Sequence, residues 1–329
     1  MKFFLIAALC GIMFGADPGY KVLERIKVGG NGGWDYVYVD SGAQRLYASH
    51  TNQTEVIDLA TGKVVGKIAD TTGVHGIAIA TDLGKGYTSN GRANNVSVFD
   101  LQTLQTLASV ATGKNPDAIV YEPVTHRVVT FNGSSKDSTV IDAKTGAVVA
   151  TVPVGGKPEF AQVDGKGKIY FNVEDTNELA EMDAATAKIT KRFALTGCDS
   201  PSGLAFDSQK RHLFSVCENK VMVVSDPDAG KVIATAPIGT GADGVAFDNG
   251  YAFSSNGRDG TVTVVSGDKF DVVQTVTTEK SARTIGADPK THKLYLPAAE
   301  QGSATVGKDG KQGRPGIVPD SFMIVVVGK

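Results

Sequence analysis

The feature that most limits how this chain can fold is a period. A short apolar phrase closed by aspartate ends at Asp58, Asp100, Asp142, Asp183 and Asp226, in steps of 42, 42, 41 and 43 residues. The tetrapeptide Ser-Asn-Gly-Arg occurs twice, at Ser89–Arg92 and Ser255–Arg258, 166 residues apart, about four such steps. A repeat of this length matches a four-stranded propeller blade. A third phrase counts the blades. "WDYVYVD" from Trp34, "VHGIAIA" from Val74, "PDAIVYE" from Pro116, "PEFAQVD" from Pro158, "PSGLAFD" from Pro201, "ADGVAFD" from Ala242 and "ARTIGAD" from Ala282 make seven copies.

Each unit reads as four strands, typified by "GLAFD", "KIYFN", "STVID" and "KVVATVPVG". The runs are short, rich in Val, Ile, Thr and Tyr, and bounded by Gly, Asp, Asn and Pro. Turns such as "DAKTG" and "DLATG" suit an aspartate that binds backbone amides and a glycine that takes positive φ. The seventh unit lacks a fourth strand, and "YKVLERIKVG" near the N-terminus has the pattern to supply it. The expectation is an all-β, seven-bladed propeller over residues 17–329, its ring closed by the N-terminal strand so that fewer edges stay open. Ser-Asn-Gly-Arg then falls between the second and third strands of blades two and six, where Asn-Gly suits a tight hairpin.

Residues 1–16, "MKFFLIAALCGIMFGA", have the charge, apolar run and small final residues of a secretory signal. The apolar run is too short to span a bilayer, and no later stretch qualifies. A periplasmic or secreted protein is expected. Cleavage would remove one lysine, taking the formal net charge from −2 to about −3, a balance that gives no hint of a nucleic-acid partner. Cys198 and Cys217 remain. They fall at the same end of blade five, beside adjacent strands, so a disulfide is expected, with free thiols or soft-metal ligands as rival readings.

The repeat segment "TVIDAKTGAVVATVPVGGKPEFAQVDGKGKIYFN" resembles the YVTN repeat of bacterial YncE-like β-propellers, over nearly the whole of Tyr20–Lys329. The resemblance implies the propeller fold. It says little of function, because propellers host unrelated chemistries.

In such a ring the fourth-to-first and second-to-third connections share one face, called top here. First strands line the central channel and open at its mouth with Asp35, His75, Asp117, Glu159, Ser202, Asp243 and Arg283. Second strands end on the same face at His50, Asn90, Asn132 and Asn256, among others. Converging carboxylates and carboxamides with one arginine would suit a ligand or a divalent cation; polar strand ends facing water are the plainer explanation. His50, His75 and Asp35 are weak candidates for a metal site. Trp34 is a stacking platform or a plug between blades. His126, His212 and His292 fall on the opposite face as turn residues. Residues 299–320 interrupt the period with a long top-face loop bearing Lys308, Lys311 and Arg314, which could fold over the acidic mouth.

No Gly-x-Ser-x-Gly elbow, His-Glu-x-x-His pair or phosphate loop is present. The leading reading is therefore a monomeric, non-catalytic binding or scaffolding propeller, with a small ligand or a protein at its top face and no cofactor beyond a divalent cation. The alternatives are a lactonase-like metal-dependent hydrolase and a redox propeller subunit resembling quinoprotein dehydrogenases.

Overall fold

The computed structural model describes residues 18–306 and 312–329. The signal expected at 1–16, and Lys308 and Lys311 of the insertion, lie outside these. Seven antiparallel sheets of four strands make the blades. Blade one is built from Val37–Asp40, Arg45–His50, Gln53–Asp58 and Lys63–Ile68, and blades two to six repeat this order. Blade seven runs Gly286–Asp288, Lys293–Ala298, Met323–Gly328 and then Lys21–Lys27 on the outside. Lys21 pairs with Gly328 and Lys27 with Met323, so the N-terminal strand closes the ring as the sequence predicts. Among the described residues no helix is long and apolar enough to cross a membrane.

The core lies between blades. Second and third strands carry runs of buried residues, such as Leu46–Tyr47–Ala48 and Phe214 with Val223 and Val224, while fourth strands are half exposed. Tyr47, Tyr87, Tyr170, Phe214 and Phe253 hold one position of the second strands of blades one, two, four, five and six, with Val129 there in blade three, and all are fully buried. That aromatic column makes the repeat visible in sequence and cements each blade to its neighbour.

Between strands three and four the repeated aspartate closes a turn of fixed chemistry. Asp58 accepts from the Thr61 amide and hydroxyl, and Asp100, Asp142 and Asp183 do the same with Thr103, Thr145 and Thr186. Gly62 and Gly146 supply the positive φ that follows. Cys198 and Cys217 form a disulfide, with Cα atoms 5.4 Å apart, buried beside Leu195 and Tyr170.

The insertion in blade seven is not an irregular loop. Gln301–Val306 and Gln312–Ile317 pair as a two-stranded hairpin, Gln301 opposite Ile317. Its base is anchored: Asp320 accepts from the Gly30 amide at 2.9 Å and pairs with Lys27 at 3.1 Å. Glycines and a proline among polar neighbours, in "QGSATV" and "QGRPGI", hid the strand pattern.

Candidate functional site

The residues that open the first strands do meet at the channel mouth. His75 Nδ1 lies 2.6 Å from Asp35 Oδ2 and 3.7 Å from Asp117 Oδ1. The Arg283 guanidinium is 3.3 Å from Asp35 Oδ1, pairs with Asp243, and donates to the Trp34 carbonyl at 2.8 Å. Five predicted residues, from blades one, two, three, six and seven, are thus one charge network. Lys157 holds Glu159 at 2.7 Å and also pairs with Glu174.

Partial burial strengthens these interactions and perturbs the acids. Burial and then the Asp35 charge push Asp117 up to about 6, against the pull of His75. Burial also raises Asp243, against Arg283. Glu159 is raised by burial and by Asp117, with Lys157 opposing. Burial opposes a charged His75, but its bond to Asp35 and the charge of Asp117 outweigh that and raise it above the ordinary imidazole value.

The doubled Ser-Asn-Gly-Arg phrase sets these side chains in place. Ser89 Oγ donates to the Asp117 carbonyl, and Ser255 Oγ to the Arg283 carbonyl at 2.6 Å. In each case the serine of one blade fixes the mouth residue of the next. The glycines do not take the positive φ of an Asn-Gly hairpin; that conformation falls later, at Asn94 and Gly260. Gly91 and Gly257 are needed for closeness instead. A Cβ would lie 2.6 Å from His75 Nε2 at Gly91 and 2.7 Å from Arg283 Cβ at Gly257.

The residues that close the second strands do not reach the mouth. Asn90, Asn132 and Asn256 are fully buried, and each amide is used up inside its own blade. Asn90 donates to Asn95 and Ser97, Asn132 to Asp137 and Thr139, and Asn256 to Thr261 and Thr263. His50 holds the equivalent place and turns to Glu55 at 3.1 Å, stacked on Phe322 with ring centroids 4.3 Å apart. It is apart from the His75 cluster, where Asp117 stands as the third group. Trp34 packs largely buried against Phe322 in the contact between blades one and seven, and it also borders the cavity beside the mouth. On the opposite face His126 meets Asp82 and His292 meets Asp248.

Beside the mouth lies a cavity of about 880 Å³. Trp34, Asp243 and Arg283 border it from the channel side, and Gln301, Pro315 and Ile317 from the hairpin. Arg258, Lys280, Glu174 and Glu218 add charges of both signs. Arg258 is the last residue of the doubled Ser-Asn-Gly-Arg phrase; Glu174, Glu218 and Lys280, with Lys157 and Tyr36, were not singled out from sequence. They sit in top-face connections or one step below the mouth, where no periodic position marks them. Below the mouth the channel is lined mostly by aliphatic and aromatic side chains, with Gln162 among them, and is crossed by Tyr36 against Phe160 with centroids 4.8 Å apart.

No protein-family model matches this chain, and no curated protein does. Among solved structures, Kuenenia stuttgartiensis hydrazine synthase is similar in fold, with a TM-score of 0.70 and 18% identity over 80% of this chain and 92% of that one. The likeness shows a β-propeller fold.

Proposed function

We propose that this chain is an exported, non-catalytic binding propeller of the YVTN-repeat kind, and that its top-face cavity takes a ligand carrying charges of both signs. The cavity of about 880 Å³, walled by Arg283 and Asp243 of the mouth and by the insertion hairpin, carries this reading. It is large for a water pocket and of the size that small-molecule sites occupy. Arg258 and Lys280 would meet an anionic group, and Glu174 and Glu218 a cationic one. A zwitterion or a segment of polypeptide has that chemistry. Export is supported by the signal-like N-terminus and by the buried Cys198–Cys217 disulfide, which persists in oxidising compartments.

A thermal-shift screen of amino acids and short peptides tests the reading. A ligand that stabilises the wild type should lose its effect in the Arg258→Ala, Lys280→Ala double variant. Binding that survives this change and is lost on replacing His126 and His292 would put the site on the other face. The hydrolase alternative draws on one observation, the Asp35–His75–Asp117 cluster. A hydrolytic activity that vanishes with chelator would favour it. The redox alternative has only the name of hydrazine synthase behind it, a protein related here by fold alone.

A further inference from the structure

We propose that Asp35, His75 and Asp117 bind a divalent first-row transition-metal ion. The site lies over blades one to three, beside the cavity rather than in it, and does not depend on the cavity binding anything.

The three ligand atoms lie within 4.8 Å of one another, all at the solvent end of the channel. Bonds of about 2.1 Å put neighbouring ligand atoms about 3.0–3.4 Å apart in octahedral or tetrahedral geometry. The two distances from His75 Nδ1, 2.6 and 3.7 Å, bracket that range. Small side-chain rotations would therefore admit an ion. Asp117 Oδ1 points independently to a missing ligand: it is buried and accepts no hydrogen bond. A buried carboxylate oxygen without a partner is costly, and a cation would satisfy it.

The charge balance agrees. Among the described residues, His75 and Arg283 are the cationic side chains in ion-pair contact with Asp35, Asp117 and Asp243, so with His75 neutral this group carries two net negative charges for a dication. The ion would replace the proton on His75 Nδ1. Arg283 would keep Asp35 Oδ1, leaving Oδ2 for the metal, as outer partners of metal carboxylates commonly do.

The backbones are already fixed. The Asp35 amide donates to Ser49 Oγ at 2.8 Å, Thr284 donates to the Asp35 carbonyl, and Ser89 holds both the Gly76 amide and the Asp117 carbonyl. One imidazole with two carboxylates suits zinc, iron or manganese better than calcium, which favours all-oxygen sets. Three protein ligands leave at least one position open to water.

The test uses the full chain, stripped with chelator and titrated with Zn²⁺ and with Co²⁺. One ion per chain should bind, with visible Co²⁺ bands of nitrogen and oxygen ligation and a Zn²⁺-dependent rise in melting temperature. His75→Gln and Asp117→Asn should each weaken binding at least tenfold, and His126→Gln, in a histidine–aspartate pair on the far face, should not. Failure of the wild type to bind either ion at micromolar concentration overturns the proposal. Binding that is unchanged in both mouth variants also overturns it. If a variant does not fold, the wild-type stoichiometry and Co²⁺ spectrum decide alone, with absent binding or a spectrum lacking the d–d bands of nitrogen and oxygen ligation counting against the site.

Discussion

Aspartates at the channel mouth and aspartates at the strand-three turns live in opposite environments within one fold. Asp58, Asp100, Asp142 and Asp183 each accept from a threonine three residues on, and those bonds hold their carboxyls below the ordinary value. Asp117 and Asp243 are buried near like charges and are pushed upward. Turn aspartates are stabilised by being ionised where they are. Mouth aspartates are held ionised or shared at a cost that the rest of the fold supports. Groups arranged against their own stability are the usual mark of a working site. The pattern along the chain agrees: the turn position repeats Asp, whereas the mouth position reads Asp, His, Asp, Glu, Ser, Asp, Arg around the ring.

The largest effect should come from taking away the one arginine that the mouth acids share. Arg283→Met leaves Asp243 without its ion-pair partner and Asp35 with His75 alone, and removing one partner of a desolvated pair is strongly destabilising. With the guanidinium partly open to water, about 2–3 kcal/mol is expected in chemical denaturation at neutral pH. Adding Asp243→Asn should recover part of that loss. Strict additivity of the two changes would mean that the mouth charges are screened like surface ones, and the contrast with the turns would collapse.

At the turns the sign reverses. Asp142 accepts from the Thr145 amide and hydroxyl, from the Lys144 amide and from Arg127. The Thr145 amide leads in lowering its pKa to about 2. Its contribution is then fully present above the unfolded value of about 4 and lost as pH falls through about 2. Asp142→Ala should cost about 1–2 kcal/mol at pH 7, in the range of a lost cap, and the difference from wild type should shrink as pH falls from 4 to 2. A deficit that stays constant down to pH 2 would show that packing rather than the carboxylate was lost.

The same contrast explains what could be read from sequence. Blade number, ring closure by residues 21–27 and the Cys198–Cys217 bond were legible because each recurs with the period or follows from strand adjacency. The mouth ring was legible in part, since Asp35, His75, Asp117, Asp243 and Arg283 hold one position of the repeat. The error at His50, Asn90, Asn132 and Asn256 is one of parity. Successive strand residues face opposite sides, so Ser89 reaches the next blade's mouth while Asn90 turns into its own. Placing a residue at the end of a strand does not say which way it points. The Ser-Asn-Gly-Arg glycines were misread for a related reason: a tight approach to another blade leaves the same letter in the sequence as a positive φ. Lys280 belongs to a top-face connection, where the period fixes the place but not the residue, whereas Arg258 recurs with Arg92 in the doubled phrase.

The smallest expected change is also the one whose direction is least usual for a charged residue in an ion-pair network. Asp117 brings a buried oxygen without a hydrogen-bond partner, and the charge of Asp35 stands close enough to raise its pKa. Asparagine has nearly the same shape, removes the like charge, and keeps one oxygen that the Tyr36 hydroxyl can still meet. In chelator at pH 7, Asp117→Asn should therefore raise stability by about 1 kcal/mol, a few degrees in melting temperature. Asp100→Asn, which weakens a turn carboxylate of ordinary structural duty, should lower the melting temperature in the same assay. If both variants move the same way, mouth and turn aspartates differ only in address. Opposite shifts would show that the fold tolerates Asp117 for a reason other than its own stability.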